Sequence, residues 1–210
     1  MNDKRRPWED LPTAAIDAWA PHLPALADEI IDAIRQEVPA YARPLEGAFG
    51  QAVRIGVEEA LSRFDPRAGP GGGRNVYVAL GRGEAREGRT LDALLAAYRV
   101  GAQIAWRRLA EAGLQAGLEP ETLVLLAESI FASIDELSAA SAEGFAREQA
   151  AREGEAGRRR AALVELLVRD PPPAEAALAA AADDARWPLP RTLAIVVWAA
   201  EHGERPARRL

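Results

Sequence analysis

Cysteine is absent from the 210 residues, histidine occurs twice, methionine once, and Lys4 is the only lysine among 26 basic residues. Without thiols there is no disulfide, no thiolate nucleophile and no thiolate metal site, and the composition leans toward a reducing, cytoplasmic setting. His22, between Pro21 and Leu23, and His202, in the tail, read as surface residues, which leaves Ser/His/Asp and Cys/His arrangements without a base. Neither HExxH nor ExxH spacing occurs, and no His or Cys lies between Leu23 and Glu201, so neither metal nor haem is expected as a cofactor. A positive excess is also lacking. With 32 acidic residues, a net charge of -6 and a pI near 5.2, no field draws this segment toward nucleic acid. No run of 18 apolar residues appears, and no apolar stretch of signal-peptide length follows the basic Met1–Pro7, so neither a membrane span nor a secretion signal is expected.

What is present is helical periodicity. Hydrophobic residues make up 49% of the chain, and before Pro171 they recur at helical spacing almost everywhere. A short helix is expected over Thr13–Ala20, a second over Pro24–Glu37 with Leu26, Ile30, Ile34 and Val38 in one stripe, and a third from Pro44 to Phe64. In the third, Ala52, Gly56 and Ala60 share one row and Val53, Val57 and Leu61 the next, giving a wide apolar face. Asp65–Gly73, with two prolines and four glycines, reads as a loop. Val76–Glu87 reads as a short helix closed by Gly88, and Thr90 as the N-cap of the strongest amphipathic segment, Leu91 to Leu109.

Pro120 opens another helix, and no proline interrupts it before Pro171. Roughly 50 residues at about 1.5 Å each reach about 75 Å, so its second half is expected to bend, protrude or pair. The charged run Arg147–Arg160 favours protrusion, and Leu163, Leu166 and Leu167 then supply an apolar end for a homodimer contact. Ala174–Arg186 reads as one more helix and Thr192–Ala199 as a strand. The expected organisation is a flexible terminus over 1–10, a helical domain over 11–169 whose last part, 150–169, is a helical linker, and the incomplete start of an α/β domain over 174–210.

Nothing in this pattern carries catalysis. Gly69–Gly73 lacks the Lys-Ser/Thr ending that cradles phosphate, and Gly81-Arg-Gly83 lacks the third glycine of a dinucleotide turn. The crowding of Arg82, Glu84, Arg86, Glu87 and Arg89 before a helix start suits a carboxylate or phosphate effector, or else a solvated turn held by local ion pairs. Arg99, Arg107 and Arg108 admit the same two readings. Trp19, Tyr98, Trp106 and Phe131 either line a small-molecule cavity or pack as core. The ligand-binding candidates are thus Arg82, Arg86, Arg89, Tyr98, Arg99 and Trp106.

The segment LGRGEAREGRTLDALLAAYRVGAQIAWRRL, Leu80–Leu109, resembles the signature of the RsbRD N-terminal-like domain. VPAYARPLEGAFGQAVRIGVEEAL, Val38–Leu61, and ESIFASIDELSAASAEGFAREQA, Glu128–Ala150, resemble the same family in order and spacing, so the similarity covers about Leu11 to Val168. Such domains stand at the front of PucR/CdaR-type transcription regulators and in RsbT co-antagonist proteins. The resemblance implies a GGDEF-like middle domain, whose entrance WPLPRTLAIVVWAAEHGE, Trp187–Glu204, resembles, and a helix-turn-helix beyond it that this chain lacks. It carries over no catalytic residue.

These readings converge on an all-α multi-helix bundle with a long late helix, followed by one strand of a truncated α/β domain. The expected function is a non-enzymatic, cytoplasmic sensory part of a PucR/CdaR-type regulator. It would work as a homodimer with an unknown small effector or partner protein, and without direct nucleic-acid or membrane binding. A stressosome-like scaffold that binds partner proteins is the alternative.

Overall fold

Prolines and glycines divide the chain into helices, and the computed structural model shows where each break falls over residues 6–42, 47–65, 67, 72–190 and 192–194. Helix α1 spans Thr13–Trp19, and α2 spans Leu23–Glu37 with proline in its first turn. Val38 turns extended before Pro39 and ends α2. Helix α3 spans Gly47–Ser62, and the expected Pro44 start lies outside the described residues, as does most of the Asp65–Gly73 loop. Helix α4, Arg74–Arg86, is closed by Gly88 at φ 72°, where the Arg89 amide donates back to the Glu84 carbonyl at 3.0 Å. Thr90 caps α5, Leu91–Gln115, its hydroxyl accepting from the Ala93 amide at 3.2 Å. Gly117 (φ 73°) closes α5, α6 runs Pro120–Leu167, and α7 spans Glu175–Asp184.

The all-α, multi-helix expectation holds: no strand occurs among the described residues. Of the strand expected over Thr192–Ala199, residues 195–199 lie outside the described ones, and Thr192, Leu193 and Ala194 are not in a strand.

Two compact units divide within α6, Met1–Ala150 and Ala151–Leu210. In the first, the apolar stripes of α1, α2, α5 and the early turns of α6 close on one another around fully buried Trp19, Leu109 and Leu126. Trp19 is anchored as well as buried, its indole N–H donating to the Leu109 carbonyl at 2.9 Å. Each such side chain contributes about 1.5–3 kcal/mol by leaving water. A second cluster joins Val53, Tyr77, Leu80, Leu137 and Ala140. Here α4 and α6 meet backbone to backbone: a Cβ on Gly81 would lie 2.0 Å from the Ser141 carbonyl oxygen, and one on Gly144 would lie 2.0 Å from that of Val78. Only glycine permits this approach.

Residues 7–10, expected within a flexible terminus, form a 3-10 turn. Trp8 stacks there on the Arg63 guanidinium at 4.7 Å, and Arg63 in turn pairs with Glu136 at 3.4 Å.

In the second unit, residues 151–162 are exposed on every side of α6, with an Arg159–Glu155 pair one turn apart. Leu163, one of the residues expected at a dimer contact, is buried against Ala182 and Ala185, with Leu167 and Leu178 packed around them. The alanine-rich α7 folds back as the partner this apolar end needs. Leu166 is half-buried, whereas Val164 and Val168 remain 54% and 51% exposed.

Candidate functional site

Several of the small side chains of α3 and α5 line a space shared with α2 and α6. Gly56 and Ala60 on α3, and Ala97, Gly101, Ala102 and Ala105 on α5, leave a cavity of about 80 Å³. Ile30 and Ile34 of α2 and Ile130, Ile134 and Leu137 of α6 line its other sides. The gap is narrow at Gly101, where an added Cβ would come within 3.2 Å of Ile30. No charged side chain lines it.

Two polar side chains reach this apolar wall, Tyr98 and Ser133. Their circumstances differ. The Ser141 hydroxyl donates to the Tyr77 carbonyl at 3.1 Å, so the 2.6 Å contact between Tyr98 and Ser141 has Tyr98 as donor. Burial pushes the Tyr98 phenol up to about 12, so it stays protonated and its proton is committed. Ser133 is 5% exposed, and its Oγ has no hydrogen-bond partner among the described residues. One turn earlier, Ser129 satisfies its own hydroxyl on the Leu125 carbonyl at 2.7 Å. Ser133 does not, and so a hydroxyl stands unmet at the wall of a cavity.

A buried polar group lies elsewhere in the same unit. Glu84, on α4, is fully buried and accepts from the Tyr41 hydroxyl on one oxygen and from Arg89 Nε on the other, each at 2.8 Å. The Arg89 guanidinium also lies 5.7 Å over the Tyr41 ring. Burial raises the Glu84 carboxyl above its ordinary range, outweighing the two hydrogen bonds, which act to lower it. Both its oxygens are occupied by partners within the fold. The arrangement ties the turn after α4 to Tyr41.

The arginine crowd therefore separates. Arg89 turns inward to Glu84, while Arg82 and Arg86 hold Glu148 from α4, at 3.5 and 2.9 Å. Arg86 above all, then Arg82, keeps the Glu148 carboxyl below its usual range. Arg99 is exposed on α5 and lines neither the cavity nor these groups. Arg108 clamps Glu29 of α2 with both Nε and Nη2, at 2.8–3.0 Å. Of the aromatic candidates, Tyr98 lines the cavity and Trp19 sits in the core, but Trp106 is 39% and Phe131 69% exposed. Sequence reasoning missed Tyr41, whose partner is 43 positions away, and Ser133, whose only signal is a serine among the apolar positions Ile130, Ile134 and Leu137.

No group of three or more His, Cys, Asp or Glu suited to a metal occurs among the described residues, and no described helix is long and apolar enough to cross a membrane. The family model of the PucR-like N-terminal domain matches residues 8–168. The chain belongs to this family. The match takes in every residue of the cavity and the Tyr41–Glu84–Arg89 group, and it extends along α6 to the residue after its last turn. The placement in this PucR-like family agrees with the PucR side of the resemblance, a regulator's N-terminal domain. No curated protein and no solved structure matches the chain.

Proposed function

We propose that this PucR-like domain is the non-enzymatic, cytoplasmic sensory part of a transcription regulator, in which occupancy of the α2–α3–α5–α6 cavity selects one packing of the bundle. The observation that carries the reading is the unmet Ser133 hydroxyl at the wall of an otherwise apolar cavity. A core under selection for stability alone would fill this space or satisfy this group. The output in this reading is the geometry of a homodimer, set through the charged stretch of α6 around Glu148–Arg160. With Leu163 and Leu167 taken by α7, the supporting surface is Val164 and Val168, exposed one turn apart.

Ala102→Leu places a side chain in the cavity as a surrogate ligand. The expected result is altered amide exchange along α6 together with a changed dimer dissociation constant in sedimentation equilibrium. A chain that stays monomeric at tens of micromolar, or whose α6 exchange ignores the filled cavity, removes the sensory reading.

A further inference from the structure

Resting on that sensory reading, we infer that the cavity binds a neutral, mostly apolar molecule the size of a short-chain alcohol or ketone, held by a single hydrogen bond to Ser133 Oγ. Three properties of the site lead there. The first is size. At about 80 Å³ the space is roughly half the engineered cavity of about 150 Å³ that accepts benzene, which limits the ligand to a handful of non-hydrogen atoms.

The second is charge. The walls come from Ile, Leu, Val, Ala, Gly and Phe residues, with Tyr98 and Ser133 the two polar ones, so a carboxylate or ammonium would enter with no counter-charge and few donors. The third is the number of polar partners. A water molecule needs two to four hydrogen bonds to be held, and the Tyr98 proton is already given to Ser141, so Ser133 is the one hydroxyl with its proton to give. A ligand with an apolar body and one oxygen satisfies that hydroxyl and covers the walls together. Water does the first poorly and cannot do the second.

The test uses the whole 210-residue chain, with 1-butanol, butyrate and xenon as probes and the amide shifts of Gly101 and Ser133 as the readout. 1-Butanol should saturate with a dissociation constant on the order of 1 mM, as expected for so few atoms. Butyrate should not saturate the site over the same range. Ser133→Ala should weaken 1-butanol about 5- to 10-fold, the loss of one net hydrogen bond, and leave xenon binding within about twofold. It should also keep the wild-type fold by circular dichroism, since it deletes an unsatisfied buried group. Failure of that variant to fold would show that Oγ has a structural partner, and the inference falls.

It falls equally if 1-butanol does not saturate, if Ser133→Ala binds it as the native chain does, or if butyrate competes. Should a ligand of another chemistry fill the cavity and alter α6 exchange, the sensory reading stands and the inference is lost. Should 1-butanol bind through Ser133 while α6 exchange is unchanged, the inference stands and the sensory reading is lost.

Discussion

Replacing Gly81 by alanine tests the backbone contact between α4 and α6. Judged by helix propensity alone the substitution is favourable by about 1 kcal/mol, because Gly81 lies inside α4. The structure reverses the sign. The new Cβ would stand 2.0 Å from the Ser141 carbonyl oxygen, about 1.4 Å short of ordinary contact, and 2.7 Å from the carbonyl carbon behind it. Neither atom belongs to a side chain that can rotate away, so the helices must separate along the whole crossing. That motion draws Tyr77 and Leu80 away from Leu137 and Ala140, in the cluster that holds the two elements together. Overpacking of this kind costs about 1–3 kcal/mol, and a rigid backbone neighbour places it at the upper end.

After the propensity gain, the net loss is about 2 kcal/mol, which moves a urea midpoint down by about 1 M for a slope near 2 kcal/mol per M. Gly157→Ala is the control, since nothing lies within 4 Å of a Cβ on that residue of α6. It should gain helical stability by about 0.5–1 kcal/mol. Urea titrations followed by circular dichroism at 222 nm compare the two. If both variants move the same way, the close crossing does not exist as described.

Two further substitutions probe groups outside the crossing. Thr90→Ala removes the hydroxyl that accepts from Ala93 and should lower stability by about 1 kcal/mol in the same titration, with Thr90→Ser recovering most of it. Glu84→Gln cannot ionise; its one amide oxygen can still accept from Arg89, and its amide N–H can donate to the Tyr41 oxygen, whose hydroxyl can turn. The folded state raises this carboxyl above its ordinary 4.5, so native Glu84 binds its proton more tightly than the unfolded chain does, and its contribution to stability declines as pH rises from about 4.5 through the folded value. The stability of native protein minus that of Glu84→Gln should therefore fall with rising pH over that window. Glu29, Glu143 and Glu148, all held low by arginines, act in the opposite sense in both proteins and cancel from the difference. A flat or rising difference refutes the assignment of burial as the dominant cause.

Helix positions were legible because their signals are local. Gly88 ends α4 and Thr90 starts α5 through bonds that reach at most five residues, and a reader of the sequence can place both. Pairing was not legible in the same way. Gly144, Gly154 and Gly157 look alike as glycines that weaken one helix, yet a Cβ would strike the Val78 carbonyl at Gly144, have an arginine tip 3.7 Å away at Gly154, and meet nothing at Gly157. The difference lies in what α4 brings to α6.

The same holds for the site. Among five arginines and glutamates in ten residues, Glu84 alone is fully buried, because Tyr41, in the turn just after α2, arrives to donate its hydroxyl proton to the carboxylate. Ser129 and Ser133 are likewise one turn apart on one helix, and the first finds its own backbone while the second faces the space that Gly101 and Ala102 leave open on another. Small residues on α3 and α5 do register in the sequence, as the row of Gly56 and Ala60 does, but as packing. They become a cavity only when the opposing helices also fail to fill it, and that depends on side chains from four helices at once.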